Sequence, residues 1–160
     1  MNITENCKIW IYQSNRVLNA DEEKQIQQTL NNFTATWLAH GHQLDAKAEI
    51  IYNQFIILSV VKNATTASGC SISKSVELLQ EIEKQFHIKL FDRYLIAYRD
   101  AENIKTCNRE EFEKLIEDGR VNGETIVFNN MVSSSEELNT IWEVPVKNSW
   151  HARVFQLDQV

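Results

Sequence analysis

One proline and four glycines in 160 residues leave few forced breaks, and rule out collagen-like chains and proline- or glycine-rich linkers. Cysteine is scarce too. Three is an odd number, with no CxxC or other paired spacing, which excludes a disulfide framework and favours reduced thiols in a cytosol. No long hydrophobic run is present: Phe55-Ile56-Ile57-Leu58 falls far short of the roughly 20 apolar residues of a membrane span. Met1-Asn2-Ile3-Thr4-Glu5 has no basic stretch leading into an apolar one, so no secretory signal is expected. Positive charge is in deficit. Sixteen Lys and Arg against 22 Asp and Glu give a net charge of −6, which argues against a general nucleic-acid binder.

What remains is ordinary globular composition, 43% hydrophobic and 24% charged. At about 100–200 residues per domain, the length suggests a single domain over 1–160. Area scaling gives roughly 8,200 Å² folded against roughly 27,000 Å² extended, enough burial for a proper core.

Along the chain, Lys8-Ile9-Trp10-Ile11-Tyr12 reads as a strand of β-branched and aromatic residues. Asn19, three before Glu22, forms a capping-box start, and Ile26, Leu30, Phe33 and Trp37 then repeat at helical spacing. Gly41 would stop that helix. Residues 46–52 and 55–61 read as two strands about a turn at Asn53-Gln54, and a second helix is expected from about Ile72, with Val76, Leu79, Ile82 and Phe86 inward. Tyr94–Tyr98 is the next strand. Ile104–Cys107 is its hairpin partner, and Asn108 with Glu111 opens a third helix. Thr125–Phe128 is a further strand, Ser133 and Ser134 start a short helix, and Trp150–Leu157 is read as a last strand.

The fold expected is therefore α+β: a ferredoxin-like βαββαβ core over about 7–99, with a C-terminal β-α-β-α extension over about 100–160. Trp10 and Tyr12 would lie on one sheet face, Ile9 and Ile11 on the other. Both faces are too apolar for water, so either the C-terminal segment or a second copy of the chain, as a homodimer, would cover the open one.

In that topology the Ala39-His40-Gly41-His42 segment and Ser68-Gly69-Cys70-Ser71 share one sheet end. Cys70 lies just before a helix start, where backbone N–H groups and Lys74 would favour a thiolate, and His40 or His42 could serve as its base. The alternative is a small buried cysteine beside a capping Ser71 or Ser73. Gly69, Cys70, Ser71, Ser73 and Lys74 could equally hold a small anion. As a phosphate loop the stretch fails, with serine where both motif glycines belong. His40, His42 and Cys70 lack an accompanying metal motif, so no metal is expected, and no cofactor. Trp150 and His151, with Trp142 and Trp37, could line an aromatic ligand pocket, against the alternative that tryptophans fill the core. Arg16 and Arg93 offer a minor second anion site, and Asn129-Asn130 a turn.

The chain resembles a family of short bacterial proteins commonly labelled "ABC transporter ATPase". The resemblance covers most of the chain and rests on Trp10-Ile11-Tyr12-Gln13-Ser14-Asn15-Arg16, Ala39-His40-Gly41-His42, Ala67–Ser75, Thr125-Ile126-Val127-Phe128-Asn129-Asn130 and Ser149-Trp150-His151. It implies no mechanism: the phosphate loop, signature motif and catalytic acid of such an ATPase are all missing. The function expected is a cytoplasmic module binding a small anionic ligand or a protein partner, at the Cys70 helix start. The alternatives are a small cysteine-dependent enzyme at the same place and an assembly protein acting through its apolar sheet face.

Overall fold

The structure, a computed structural model, describes residues 6–62 and 65–157. The chain divides into two compact units, Met1–Phe91 with Val132–Asn139, and Asp92–Met131 with Thr140–Val160. The first division thus falls at Phe91, eight residues before the boundary expected from sequence.

In unit 1, β1 (Cys7–Gln13) leads to helix α1 (Ala20–Ala35), and the Asn19–Glu22 capping box is present in both directions. Ile26 and Leu30 are fully buried. The helix does not run to Gly41. It ends at Thr36, and β2 (Leu38–Ala39) pairs with β3 (His42–Gln43) around His40 and Gly41, both at positive φ (53° and 78°). A two-residue turn with both positions left-handed is the favoured hairpin connection, and glycine fits its second place without strain. Threonines at 34 and 36 weaken the helix just before it, and the Gln43 amide donates to the Thr34 carbonyl that the helix end leaves open and to the Trp37 carbonyl beyond it.

Next come β4 (Ala46–Ile51) and β5 (Phe55–Val61), joined through Tyr52 and Asn53 at positive φ, one residue earlier than expected, and then α2 (Gly69–Phe86). The sheet order is β1-β5-β4, antiparallel throughout. Ile56, Leu58, Val60 and Ala48 meet Ile26, Leu30, Leu79 and Ile82 in one core, with Trp10 and Tyr12 packed against it. On the opposite face of the sheet Ile9, Phe55 and Ile57 are buried as well.

Unit 2 carries β6 (Ile96–Asp100), β7 (Asn103–Cys107), α3 (Arg109–Glu117), β8 (Ile126–Phe128), β9 (Glu143–Pro145), a 3-10 turn (Val146–Asn148) and a short helix at His151–Phe155. Its sheet runs β7-β6-β8-β9, with Tyr98, Phe112, Val127, Val146 and Ala152 in the core. The last segment is helical rather than the strand expected for Trp150–Leu157. Ala152 and Phe155, three apart, both enter this core, and the Phe155 ring lies 4.7 Å from that of Phe112.

The molecule is α+β, but the ferredoxin-like core is not completed. Its fourth strand, β6, pairs with β7 and β8 in the sheet of unit 2 instead of flanking β1. The free edge of β1 is met by the returning segment of unit 1: Ile9 N–H donates to Ser133 O at 3.0 Å, and Lys8 bridges Ser134 antiparallel. Cys7 N–H reaches the Ser135 hydroxyl at 2.9 Å, where the next helix (Ser135–Thr140) begins. An edge strand needs its N–H and C=O groups covered, and a three-serine segment does this without a full strand.

Candidate functional site

The start of α2 is built around two serines. Ser68 accepts the Ser71 N–H at 3.1 Å while the Ser71 hydroxyl accepts the Ser68 N–H at 2.7 Å. Cys70 therefore sits inside the first turn, exposed, rather than before it. Ser71 and Ser75 are buried, the latter donating to Ile72 O, so neither faces a ligand; Gly69, Ser73 and Lys74 are exposed. The Trp37 indole donates to Ser71 O at 2.8 Å, which seats the foot of the β2–β3 hairpin against this turn. His40 and His42 stand exposed at the hairpin tip. No hydrogen bond or ion pair among the described residues joins either histidine to Cys70. Among the described residues no group of three His, Cys, Asp or Glu side chains is placed to hold a metal ion.

The three thiols differ in a way alkylation can read. Cys7 and Cys107 are buried, and burial with the nearby Glu111 pushes the Cys107 thiol up to about 12. Iodoacetamide on the native protein is expected to modify Cys70 alone, as a single adduct by mass; labelling of Cys7 or Cys107 at a comparable rate would contradict the burial described.

The Gln13-Ser14-Asn15-Arg16 stretch has a structural task. Arg16 donates to Phe86 O at 2.7 Å, at the end of α2, and to both Glu22 oxygens at 2.9 and 2.6 Å. Asn15 exchanges two hydrogen bonds with the Lys89 backbone, and Gln54 donates to Ser14 O at 3.1 Å. Arg16 and the Asn19 N–H hold the Glu22 carboxyl down at about 2. Arg16 is thus occupied within unit 1 and is no anion ligand there.

In unit 2 the backbone runs through Val146–Asn148 into the terminal helix and shapes an open cavity of about 510 Å³ lined by Lys147, Asn148, Ser149, Trp150, Ala152 and Arg153. The Trp150 ring stacks on His151, 3.8 Å between centroids at 24°, and stays 41% exposed. His151 is buried behind it, its Nδ1 2.8 Å from the Ser149 hydroxyl, which also accepts the His151 N–H at 3.1 Å. Burial lowers the His151 imidazole to about 4. The Ser149 hydroxyl, held to both the ring and the N–H of His151, ties the start of this short helix. The cationic residues lining the cavity are Lys147 and Arg153, and Lys147 is paired with Glu124.

Of the residues expected to bind a ligand, Trp150 lines this cavity and His151 supports it, in unit 2; Gly69, Cys70, Ser71, Ser73 and Lys74 lie in unit 1. Trp142 is not at the cavity. It packs on Phe128 and donates its indole N–H to Asn130 at 2.9 Å, while Trp37 belongs to the core of unit 1. Asn129 and Asn130 shape the turn after β8, Asn129 accepting the Met131 N–H. Sequence reasoning missed Lys147, Ser149 and Arg153, because reading 150–157 as a strand hid the turn-plus-helix path that gathers them. Compared with family models, curated proteins and solved structures, the chain matches none.

Proposed function

We propose that this chain is a binding module for a small anionic ligand, held in unit 2 at the Lys147–Arg153 cavity, and not an enzyme. The observation that carries the reading is an open cavity whose lining includes two cationic residues, Lys147 and Arg153, beside the half-exposed Trp150 and Asn148. Binding sites of this size typically combine an apolar wall with a few orienting polar groups. The Cys70–Lys74 helix start is the weaker place. Ser71 and Ser75 are turned into the helix, while Ser73 and Lys74 stand exposed on its surface. The cysteine-enzyme reading has the exposure of Cys70 in its favour and the lack of a histidine contact against it. The assembly reading needs an exposed Trp10 or Tyr12; both are half-buried, Trp10 against Trp37 and Tyr12 against Phe91.

Two further parts belong to the same proposal. Three free cysteines suit a reducing, cytoplasmic setting, and no helix among the described residues is long and apolar enough to cross a membrane. Membership of the short bacterial family rests on the stretches quoted above, without ATP hydrolysis, a reading supported by the serines at both motif-glycine positions and by the Ser68–Ser71 capping box.

The test is calorimetric titration with inorganic phosphate. The wild type should bind, and Arg153→Ala should weaken binding about tenfold or more, the equivalent of about 1.4 kcal/mol. Cys70→Ser and Lys74→Ala should leave it unchanged. Loss of binding in those two variants, with Arg153→Ala silent, would return the site to α2.

A further inference from the structure

The sheet of unit 1 treats its two edges differently. The free edge of β1 is met by Ser133, Ser134 and Ser135, whereas β4 ends the sheet with no strand beyond it. Asp45 O accepts the Val61 N–H, which fixes the alternation of the ladder. The backbone groups of Lys47 and Glu49 turn toward β5, and those of Ala46, Ala48 and Ile50 turn outward. Among the described residues one side chain reaches that outward row. The Gln27 amide donates to Ala48 O at 2.9 Å, leaving the carbonyl a second lone pair. Beside the row, Asn31, Thr34 and Ala35 of α1 and residues 46–49 line an open cavity of about 440 Å³. An unpaired strand edge with room beside it is a template for another strand.

We infer that the occupant is the β4 strand of a second copy of this chain, added antiparallel about a two-fold axis at Ala48. Charge selects both the partner and the register. Near the middle of the strand the outward groups allow three registers. One sets Lys47 against its own copy and one sets Glu49 against its own copy, so both oppose like charges. The third, centred on Ala48, sets Lys47 against Glu49 on each side of the axis. Those pairs fall at the non-hydrogen-bonded positions, where facing side chains come closest. Neither Lys47 nor Glu49 has an ion-pair partner within the chain among the described residues, and their neighbours on β5 are Ser59 and Ile57.

In this register Ala48 exchanges two hydrogen bonds with Ala48 of the second copy, and Ala46 pairs with Ile50 on each side, joining two three-stranded sheets into one of six strands. A two-fold pairing closes on itself, so association stops at the dimer. Lysine on an edge strand ordinarily guards against such pairing. Here a glutamate two residues on, across a small central alanine, makes the edge complementary to itself. So short a strand pair buries less than a standard interface, so the dimer is weak and concentration-dependent. The inference concerns unit 1 and does not rest on the anion site, which lies in unit 2.

Sedimentation velocity on the full chain, from about 10 μM to about 1 mM, reads the association. The wild type should pass from monomer to dimer across that range. Lys47→Glu, or Glu49→Lys, sets like charges at both pairs and should raise the half-dimer concentration about tenfold or more. The two changes together restore opposite pairs and should return it to near the wild-type value, which also separates loss of the seam from loss of the fold. Amide exchange locates the seam. The Ala46, Ala48 and Ile50 N–H groups should slow as the concentration rises, while the Glu49 N–H, already turned to β5, should not change. A wild type that stays monomeric throughout overturns the inference. So does a dimer that leaves those three amides unprotected, or one that the double variant forms no better than the single ones.

Discussion

Replacing Trp37 with alanine is expected to destabilise unit 1 by about 3–5 kcal/mol, the cost of emptying a buried tryptophan site. The indole is 2% exposed, packs 5.1 Å from Phe33 and 6.1 Å from Trp10, and donates to Ser71 O at 2.8 Å. Trp37→Phe separates the two contributions. It keeps much of the ring and loses the donor, and the Ser71 carbonyl still accepts along α2, so that bond is worth only about 1 kcal/mol. The variant should also loosen the β2–β3 hairpin, whose foot the bond fixes, before it affects α1. Urea unfolding followed by amide hydrogen exchange measures both. A Trp37→Ala loss below about 1 kcal/mol would mean that the packing described for this ring is wrong.

Acid should weaken unit 2 through His151. Burial holds the folded-state imidazole at about 4, against about 6.5 when it is free in water. The folded value is the lower one, so the unfolded chain takes up the proton. The contribution of His151 is therefore complete above about pH 6.5 and is lost as the pH falls toward 4. Linkage gives about 2 kcal/mol lost between pH 7 and pH 5 and about 3 kcal/mol in full. Glu22, Asp100 and Glu137, all held below their ordinary values, add acid sensitivity only at lower pH. The window from pH 6.5 to 5 therefore isolates the histidine. Exchange protection of the Tyr98 and Val127 amides, paired at the centre of the unit 2 sheet, should fall over that window in the wild type and stay level in His151→Gln. Equal slopes in the two proteins would show that His151 is not the group responsible.

Local signals in the sequence were read reliably where side chain and backbone chemistry agree. The Asn19–Glu22 and Asn108–Glu111 capping boxes form as their spacing dictates, and β1, β5 and β7 lie within a residue or two of their expected bounds. What failed was long-range pairing. Nothing in Tyr94–Tyr98 says whether it will flank β1 or join β8, because either sheet offers the same backbone groups. Ser133-Ser134-Ser135, which meets β1 instead, reads locally as a helix start, and only its place at a sheet edge reveals the second role. Trp150–Leu157 was misread because a five-residue helix is too short to show a period. The same error hid most of the candidate site. Trp150 and His151 were legible as an aromatic pair, but Lys147 and Arg153 join them only once the 3-10 turn and helix are in place.

The most direct test of the anion site is a titration with inorganic phosphate followed in the ¹H–¹⁵N spectrum of the four indole N–H groups, assigned with Trp150→Phe. The Trp150 resonance should shift and saturate while those of Trp10, Trp37 and Trp142 hold still, and the shift should vanish in Arg153→Ala. A motionless Trp150 signal, with changes confined to the Gly69 and Cys70 amides, would contradict the proposal and place the anion at the start of α2.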